Sequence, residues 1–412
     1  MTYKKIASHE AEKWTFWKCL LLYSGWLDTS MMLKWIQDEY ECEVIALTID
    51  IGQTADDLEL IRQKWLQLWA KDVIVYNAKD EFAEKYLSIA IKANADYQWG
   101  YALSTPLWRI IISEIAVKIA QEYACEVVAH WCTGKGNDQV RFEWYITTLN
   151  PSLKTIAPVR EWSMGRNEQI EYAEKHGIPV KQKKDKPYSY DENMWGNTGE
   201  GWEVENPELC PNFPNILQWC NTLENTPENH EKIEVYFEEW IPIKLNEKQM
   251  QLSQIIWKLN KIWWKHWIGV FPLIEDRFVW LKVRGVYENP AATILITAHK
   301  NLEKLVSTRE ENELKTFIDT KWAYLSYAAK WFDPVMKNIV SYIDSQNKKV
   351  SWNVTMKLYK WNIIIETLHS DNSLFDENLA TFDKNMSFNQ NSSAGFIEIY
   401  NLAQKTAYNA WK

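Results

Sequence analysis

Glycine is scarce in this chain. There are 13 among 412 residues, where the usual share of about 7% would give roughly twice as many. Turns that need left-handed backbone, or a close approach to a ligand, normally draw on glycine. Cysteine is thin and unpaired: Cys19, Cys42, Cys125, Cys132, Cys210 and Cys220 form no Cys-x-x-Cys pair. That spacing speaks against zinc and against a disulfide scaffold, and reads as buried thiols in a reducing, cytoplasmic setting. No apolar run is long enough to span a bilayer, and residues 1–18 carry Lys, Glu and His where a signal peptide would have an apolar core. The net charge of −9 leaves no positive surplus for coating nucleic acid or an anionic membrane. Tryptophan goes the other way, with 25 residues.

The length allows a large core and two domains, or one elaborated domain. Short apolar runs at 19–24, 43–48, 72–76 and 126–130 read as strands, with a further one at 155–158. Helical stretches lie between them at 29–40, 55–69, 79–94 and 106–123, and another runs from Asn167 to His176. Strands alternating with helices predict an α/β fold, a parallel sheet with helices on both faces. Ligands of such sheets bind beyond the carboxyl ends of the strands. Prolines punctuate 186–232 and mark a boundary. Beyond it the pattern predicts an α+β region: a hairpin over 233–245, a helix over 248–265, strands at 277–283 and 292–297, helices through 299–347, and strands at NVTMKLY, NIIIETL and GFIEIY within 349–400. Residues 400–412 read as an arm suited to packing on a neighbouring subunit.

Four constellations carry possible chemistry. Leu20 to Ser30 is a strand feeding a helix through Tyr23-Ser24-Gly25-Trp26, with Leu27, Asp28, Thr29 and Ser30 following. The free N–H groups of such a turn and the helix dipole favour an anion. On this stretch alone, phosphate binding and an ordinary capped turn weigh equally. Trp26 stands where the backbone would come closest to a phosphate. Thr133-Gly134-Lys135-Gly136-Asn137-Asp138-Gln139-Val140-Arg141-Phe142-Glu143 follows the strand that ends at His130. It offers a glycine loop, an amide and a carboxylate, with Arg141 one helical turn from Asn137 and suited to a carboxylate fork. Pro187-Tyr188-Ser189-Tyr190-Asp191-Glu192-Asn193 with Thr198 reads equally as a polar substrate site and as a surface loop, and Glu275-Asp276-Arg277 with Tyr287 reads better by itself as a salt-bridged strand end. His130 reads better as a satisfied core histidine than as a base.

In this order the motifs resemble the argininosuccinate synthase family, from about residue 18 to about 400. The run Thr133 to Glu143 is the most specific part. Ser24-Gly25-(Trp26)-Leu27-Asp28-Thr29-Ser30 alone marks only the wider pyrophosphate-loop ATPases. The resemblance implies a nucleotide-binding domain over 18–185, a synthetase domain over 186–385 and a C-terminal oligomerisation segment over 386–412, assembled as a homotetramer. It implies ATP with Mg²⁺, and citrulline and aspartate as substrates. Citrulline's ureido oxygen is adenylated, and the aspartate amine then expels AMP. By matching positions Tyr23, Ser24, Gly25, Trp26, Asp28, Thr29 and Ser30 would hold the ATP phosphates, with Ile49 and Trp131 beside the rest of the nucleotide. Thr133, Asn137 and Asp138 would hold aspartate. Tyr97, Asn137, Arg141, Ser189, Thr198, Glu275 and Tyr287 would hold citrulline. Asp28, Asp138 and Arg141 are expected to carry the chemistry, and no resident metal site is expected in the protein itself. Another pyrophosphate-loop ATPase, or a degenerate homologue kept for binding, are the competing readings.

One kind of departure from the family recurs, beside isolated ones at Gly100, where Arg is common, and at 269–274, which lacks the usual Arg-Ile-Asp. The family usually has glycine at the positions of Trp26, Trp69, Trp131, Trp240, Trp267, Trp280 and Trp361. Pro106 also stands where a citrulline-binding Ser is expected. One residue type replacing one residue type points to decoding: a gene whose UGA codons mean glycine, read with UGA as tryptophan. Restoring about 15 of them would bring glycine near its usual share. Read literally, the indoles would overpack tight turns at roughly 1–3 kcal/mol each, and the chain is expected to fold poorly or to lose ATP binding.

Overall fold

The structure, a computed structural model, describes residues 4–23, 27–53, 70–162, 164, 166–178, 188–381 and 388–412. Five parallel strands form the first sheet: β1 (Lys18–Leu22), β2 (Glu43–Asp50), β3 (Asp72–Asn77), β4 (Val127–Ala129) and β5 (Lys154–Ile156), in the order β3-β2-β1-β4-β5. Successive side chains of a strand leave by opposite faces, and both faces are covered. Leu20, Leu22, Ile45 and Leu47 share one core with Ile110, Ile111 and Ile115 of the helix Ser104–Glu122. Cys19, Leu21, Val44 and Ala46 share a second core with Met31, Met32 and Ile36 of the helix Leu27–Tyr40. This is the sheet that the alternation of elements predicts. The helix expected over 55–69 lies outside the described residues. The strand order turns back between β1 and β4, so the crevice beyond their carboxyl ends is the place for a ligand.

Two antiparallel sheets follow. One comprises β6 (Ser189–Asn193), β7 (Gly196–Glu200), β11 (Val270–Asp276) and β12 (Lys282–Glu288), in the order β11-β12-β7-β6. The other comprises β8 (Glu231–Glu238), β9 (Ile241–Leu245), β10 (Lys248–Gln249), β13 (Trp352–Tyr359) and β14 (Asn362–Leu368), in the order β10-β9-β8-β13-β14. Helices Leu252–Trp263 and Pro290–Val306 pack on them, and Arg309–Tyr327 packs on Pro334–Asn347 and on the helix Ser104–Glu122. The expected hairpin over 233–245 is β8–β9.

Three expected strands are corrected. Residues 277–283 are mostly the turn between β11 and β12, closed by Arg277 N–H to the Leu281 carbonyl at 2.8 Å. ATILIT at 292–297 lies inside the Pro290–Val306 helix. Pro290 suits the first helical turn, and Ile294, Leu295, Ala298 and Leu302 are buried at helical spacing. GFIEIY closes the helix Ser392–Tyr400, where local hydrogen bonds satisfy a backbone that has no strand alongside.

The turns carry unusual backbone. Trp14 (φ 60°), Trp99 (67°), Trp202 (51°), Trp240 (72°), Trp267 (56°), Trp280 (68°) and Trp352 (95°) are left-handed. Bulky residues are outliers there, at roughly 1–2 kcal/mol each. Of the expected glycine positions, Trp240, Trp267 and Trp280 have this backbone, while Trp131 and Trp361 do not. Trp26 and Trp69 lie outside the described residues.

Candidate active site

The end of β1 is anchored by its neighbour strand. Tyr23 N–H donates to the Leu47 carbonyl at 2.8 Å, and the Tyr23 carbonyl accepts from Thr48 Oγ1 at 3.2 Å. Its hydroxyl lies 3.1 Å from Ser30 Oγ. Burial pushes the Tyr23 phenol up, against the pull of its bonds to Ser30 and Thr29, and keeps it neutral. Thr29 and Ser30 are buried in the first turn of the 27–40 helix. Ser24, Gly25 and Trp26 lie outside the described residues, as does the side chain of Asp28. Ile49 is buried near the end of β2. Trp131 follows β4, half-buried, with its ring 5.7 Å from that of Phe142.

Beyond β4 the loop 131–137 leads into the helix Asp138–Leu149. Asp138 is the hub. Its carboxylate accepts from Arg109 Nη2 at 2.6 Å and from Arg141 Nη1 at 2.8 Å. Burial would push the Asp138 carboxyl up, but the two guanidinium groups outweigh it and hold it below the usual carboxylate range. Arg109 is 1% exposed and reaches Asp191 at 3.2 Å, so it bridges an acid of the helix Asp138–Leu149 and one of β6. Its Nε and Nη1 have no hydrogen-bond partner among the described residues. Burial also raises the Asp191 carboxyl, with Arg109 opposing and Asp138 adding to the rise.

Arg141 is held from the far side. Its Nε and Nη2 donate to the Tyr327 carbonyl at 3.2 and 2.9 Å. Asn137 Nδ2 donates to the Tyr327 hydroxyl at 2.7 Å, and its buried Oδ1 has no partner among the described residues. Tyr97 stacks on the Tyr327 ring, centroids 3.9 Å apart. The sheet β11-β12-β7-β6 supplies the opposite wall. Glu275, on β11, accepts from the Tyr287 hydroxyl at 2.9 Å, and Tyr287 lies beside Thr198 in the β12–β7 register. Thr198 pairs in turn with Asp191 on β6. Its buried hydroxyl is without a partner among the described residues. Thus Tyr97, Asn137, Asp138, Arg141, Thr198, Glu275 and Tyr287 are brought together. Thr133 is exposed on the loop, and Ser189 is exposed at the start of edge strand β6.

Four residues of this cradle escape a reading of the sequence. Arg109 and Tyr327 lie inside helices, where they look like ordinary helical residues. Tyr101 is buried with its ring 4.6 Å from that of Tyr287. It lies four residues from Tyr97, and the phenol-rich stretch 97–101 is the signal that could have marked it. Glu200, on β7, accepts both its bonds from Arg277 Nη2, at 3.0 and 2.8 Å. Burial drives its carboxyl up to about 7, with Arg277 opposing and Glu275 and Asp191 reinforcing. His130 is a core residue as expected. It lies 3.0 Å from Glu143, and burial lowers its pKa.

Comparison with known proteins gives the family. Residues 18–179 match the arginosuccinate synthase N-terminal HUP domain, and residues 188–407 match the arginosuccinate synthase C-terminal domain. The argininosuccinate synthase of Pyrococcus furiosus is 43% identical over 95% of this chain and 94% of its own length. Those of Brevibacillus brevis and Geobacillus kaustophilus are 41% and 43% identical, each over 94% of this chain, and over 92% and 95% of their own lengths. On these matches, together with the cradle around Asp138, the chain belongs to the argininosuccinate synthase family.

Proposed function

We propose that this chain joins citrulline to aspartate with ATP, by way of a citrullyl-adenylate, and releases AMP and pyrophosphate with the argininosuccinate. Family membership supports the reaction. The convergence of Arg109, Asp138 and Arg141 with the β7–β12 wall is the observation that supports the residue roles. Tyr23, Thr29 and Ser30, with Ser24, Gly25 and Asp28, would hold the phosphates at the N-terminus of the 27–40 helix. Ile49 and residue 131 would border the rest of the nucleotide. Citrulline's ureido oxygen bonds to the α-phosphorus as pyrophosphate leaves.

Arg141 bonds Asp138 and Tyr327 through one N–H of each of its three nitrogens. One N–H then remains on each terminal nitrogen. That pair is a fork for the citrulline carboxylate. Glu275 would take the citrulline α-ammonium, with Tyr97, Thr198, Ser189 and Tyr287 adding hydroxyls. Thr133, Asn137 and the ionised Asp138 would hold aspartate, whose amine attacks the activated carbon and expels AMP. Holding both substrates in one cradle supplies much of the acceleration. Among the described residues no group of three or more His, Cys, Asp or Glu could hold a metal. Mg²⁺ would enter on the ATP phosphates, where it would neutralise charge as pyrophosphate departs.

The division at 185/186 and the role of 386–412 belong to the same reading. The helices Ser392–Tyr400 and Leu402–Ala410 expose Phe396, Ile397, Ile399 and Tyr400, an apolar face suited to a neighbouring subunit in a homotetramer. Light scattering at known concentration checks the assembly. No helix among the described residues is long and apolar enough to cross a membrane.

The reaction is tested with ATP, citrulline and aspartate, on the written chain and on its Trp26→Gly, Trp131→Gly variant. The variant should form AMP, pyrophosphate and argininosuccinate in equal amounts, and only with all three substrates. AMP release without argininosuccinate would overturn the reading.

A further inference from the structure

We infer that the seven tryptophans on left-handed backbone are glycines in the protein made by its source cells, encoded by UGA codons that those cells read as glycine. This rests on backbone geometry and is independent of the proposed reaction. The other large aromatics serve as a control. The chain has 13 Phe and 20 Tyr, and none among the described residues has left-handed φ. Ring bulk obstructs that conformation whichever aromatic carries it. Among the large aromatics of the described residues the conformation is confined to tryptophan, which points to its codon and not to its chemistry.

Local geometry agrees. In the β8–β9 hairpin Glu238 pairs with Ile241, leaving a two-residue loop of Glu239 (φ 43°) and Trp240 (φ 72°). Two positive φ values make a type I′ turn, whose second place belongs to glycine. Trp280, in the turn between β11 and β12, is 96% exposed, so nothing is gained by its ring. Trp267 buries its indole N–H without an acceptor among the described residues. Two residues on, a Cβ at Gly269 would meet the Asn289 backbone at 2.6 Å, so the chain passes here with no room to spare. The tryptophans that use their indoles behave differently. Trp195 is fully buried and donates to the Ala102 carbonyl at 2.9 Å, and Trp219 donates to Glu192 at 2.9 Å. Neither is left-handed. The structure thus divides one letter of the sequence into two groups.

The division is decided by codons and by peptide masses. The gene should spell the seven left-handed positions UGA, and Trp195 and Trp219 UGG. Peptides spanning 240 and 280, from protein isolated from the source cells, should carry glycine masses, while a peptide spanning 195 carries tryptophan. UGG at 240 and 280, or a tryptophan-containing peptide across either, would overturn the inference. As a readout free of the source cells, a chain with glycine at all seven positions should melt higher than the written chain, by several degrees. An equal or lower melting point would count against it.

Discussion

The cradle around Asp138 and the left-handed turns make opposite use of large side chains. In the cradle every large group answers another: Arg141 satisfies Asp138 and the Tyr327 carbonyl, and Tyr97 lies flat on Tyr327. At the left-handed positions the indole stands on backbone that its bulk strains, whatever it touches. Burial and partners, more than residue type, therefore decide whether bulk stabilises. Removing a large side chain should have opposite signs in the two regions.

The largest effect is expected from Arg141→Ala, which leaves Asp138 and the Tyr327 carbonyl buried with less compensation. Breaking such a pair destabilises by about 3–5 kcal/mol, read as a lower denaturant midpoint. A loss below about 1 kcal/mol would remove the cradle's side of the comparison. Trp195→Ala should cost about as much, since a packed indole goes and a cavity remains; calorimetry gives the value. Next comes acid. Burial raises the Glu143 carboxyl, but its bonds to His130 and His9 and the charges of His130 and Arg160 prevail, so its pKa falls from 4.5 to about 2. The folded state then binds fewer protons than the unfolded one between these values. Its contribution, about 3 kcal/mol by linkage, is complete above pH 4.5 and disappears as the pH falls toward 2. Urea melts across that window should lose the pH dependence in Glu143→Gln.

The turns supply the opposite sign. Trp280→Gly should stabilise by about 1 kcal/mol, because a left-handed site is relieved and little packing is lost. A destabilisation would mean that the ring is used after all. The smallest change in stability is expected from Tyr287→Phe. It removes one buried hydrogen bond to Glu275, about 0.5–1.5 kcal/mol, and should weaken citrulline more than aspartate in KM measurements on the glycine-bearing variant.

Much of the site was legible as residue types in order. Thr133 to Glu143 followed a buried strand, and Glu275 with Tyr287 stood at strand ends. What was not legible was which group each one meets. Arg109 and Asp138 are adjacent across a 2.6 Å bond but 29 residues apart, and Tyr327 reaches Arg141 from 186 residues away. No local period encodes such contacts. The strands expected at 292–297 and 395–400 failed for a related reason. A β-branched or aromatic run fits one face of a helix as well as a strand, buried in Pro290–Val306 and exposed in Ser392–Tyr400, and only its neighbours choose.

The sequence by itself determined the parallel sheet, the order of the motifs and the family, because apolar periodicity and the Thr133–Glu143 run are local properties of the chain. It also showed the shortage of glycine. Only the tertiary structure added Trp14, Trp99, Trp202 and Trp352 to the tryptophans that stand on backbone suited to glycine, and separated them from those packed as tryptophan. Left-handed φ and an indole with a partner are set by the path of the backbone and by what surrounds it.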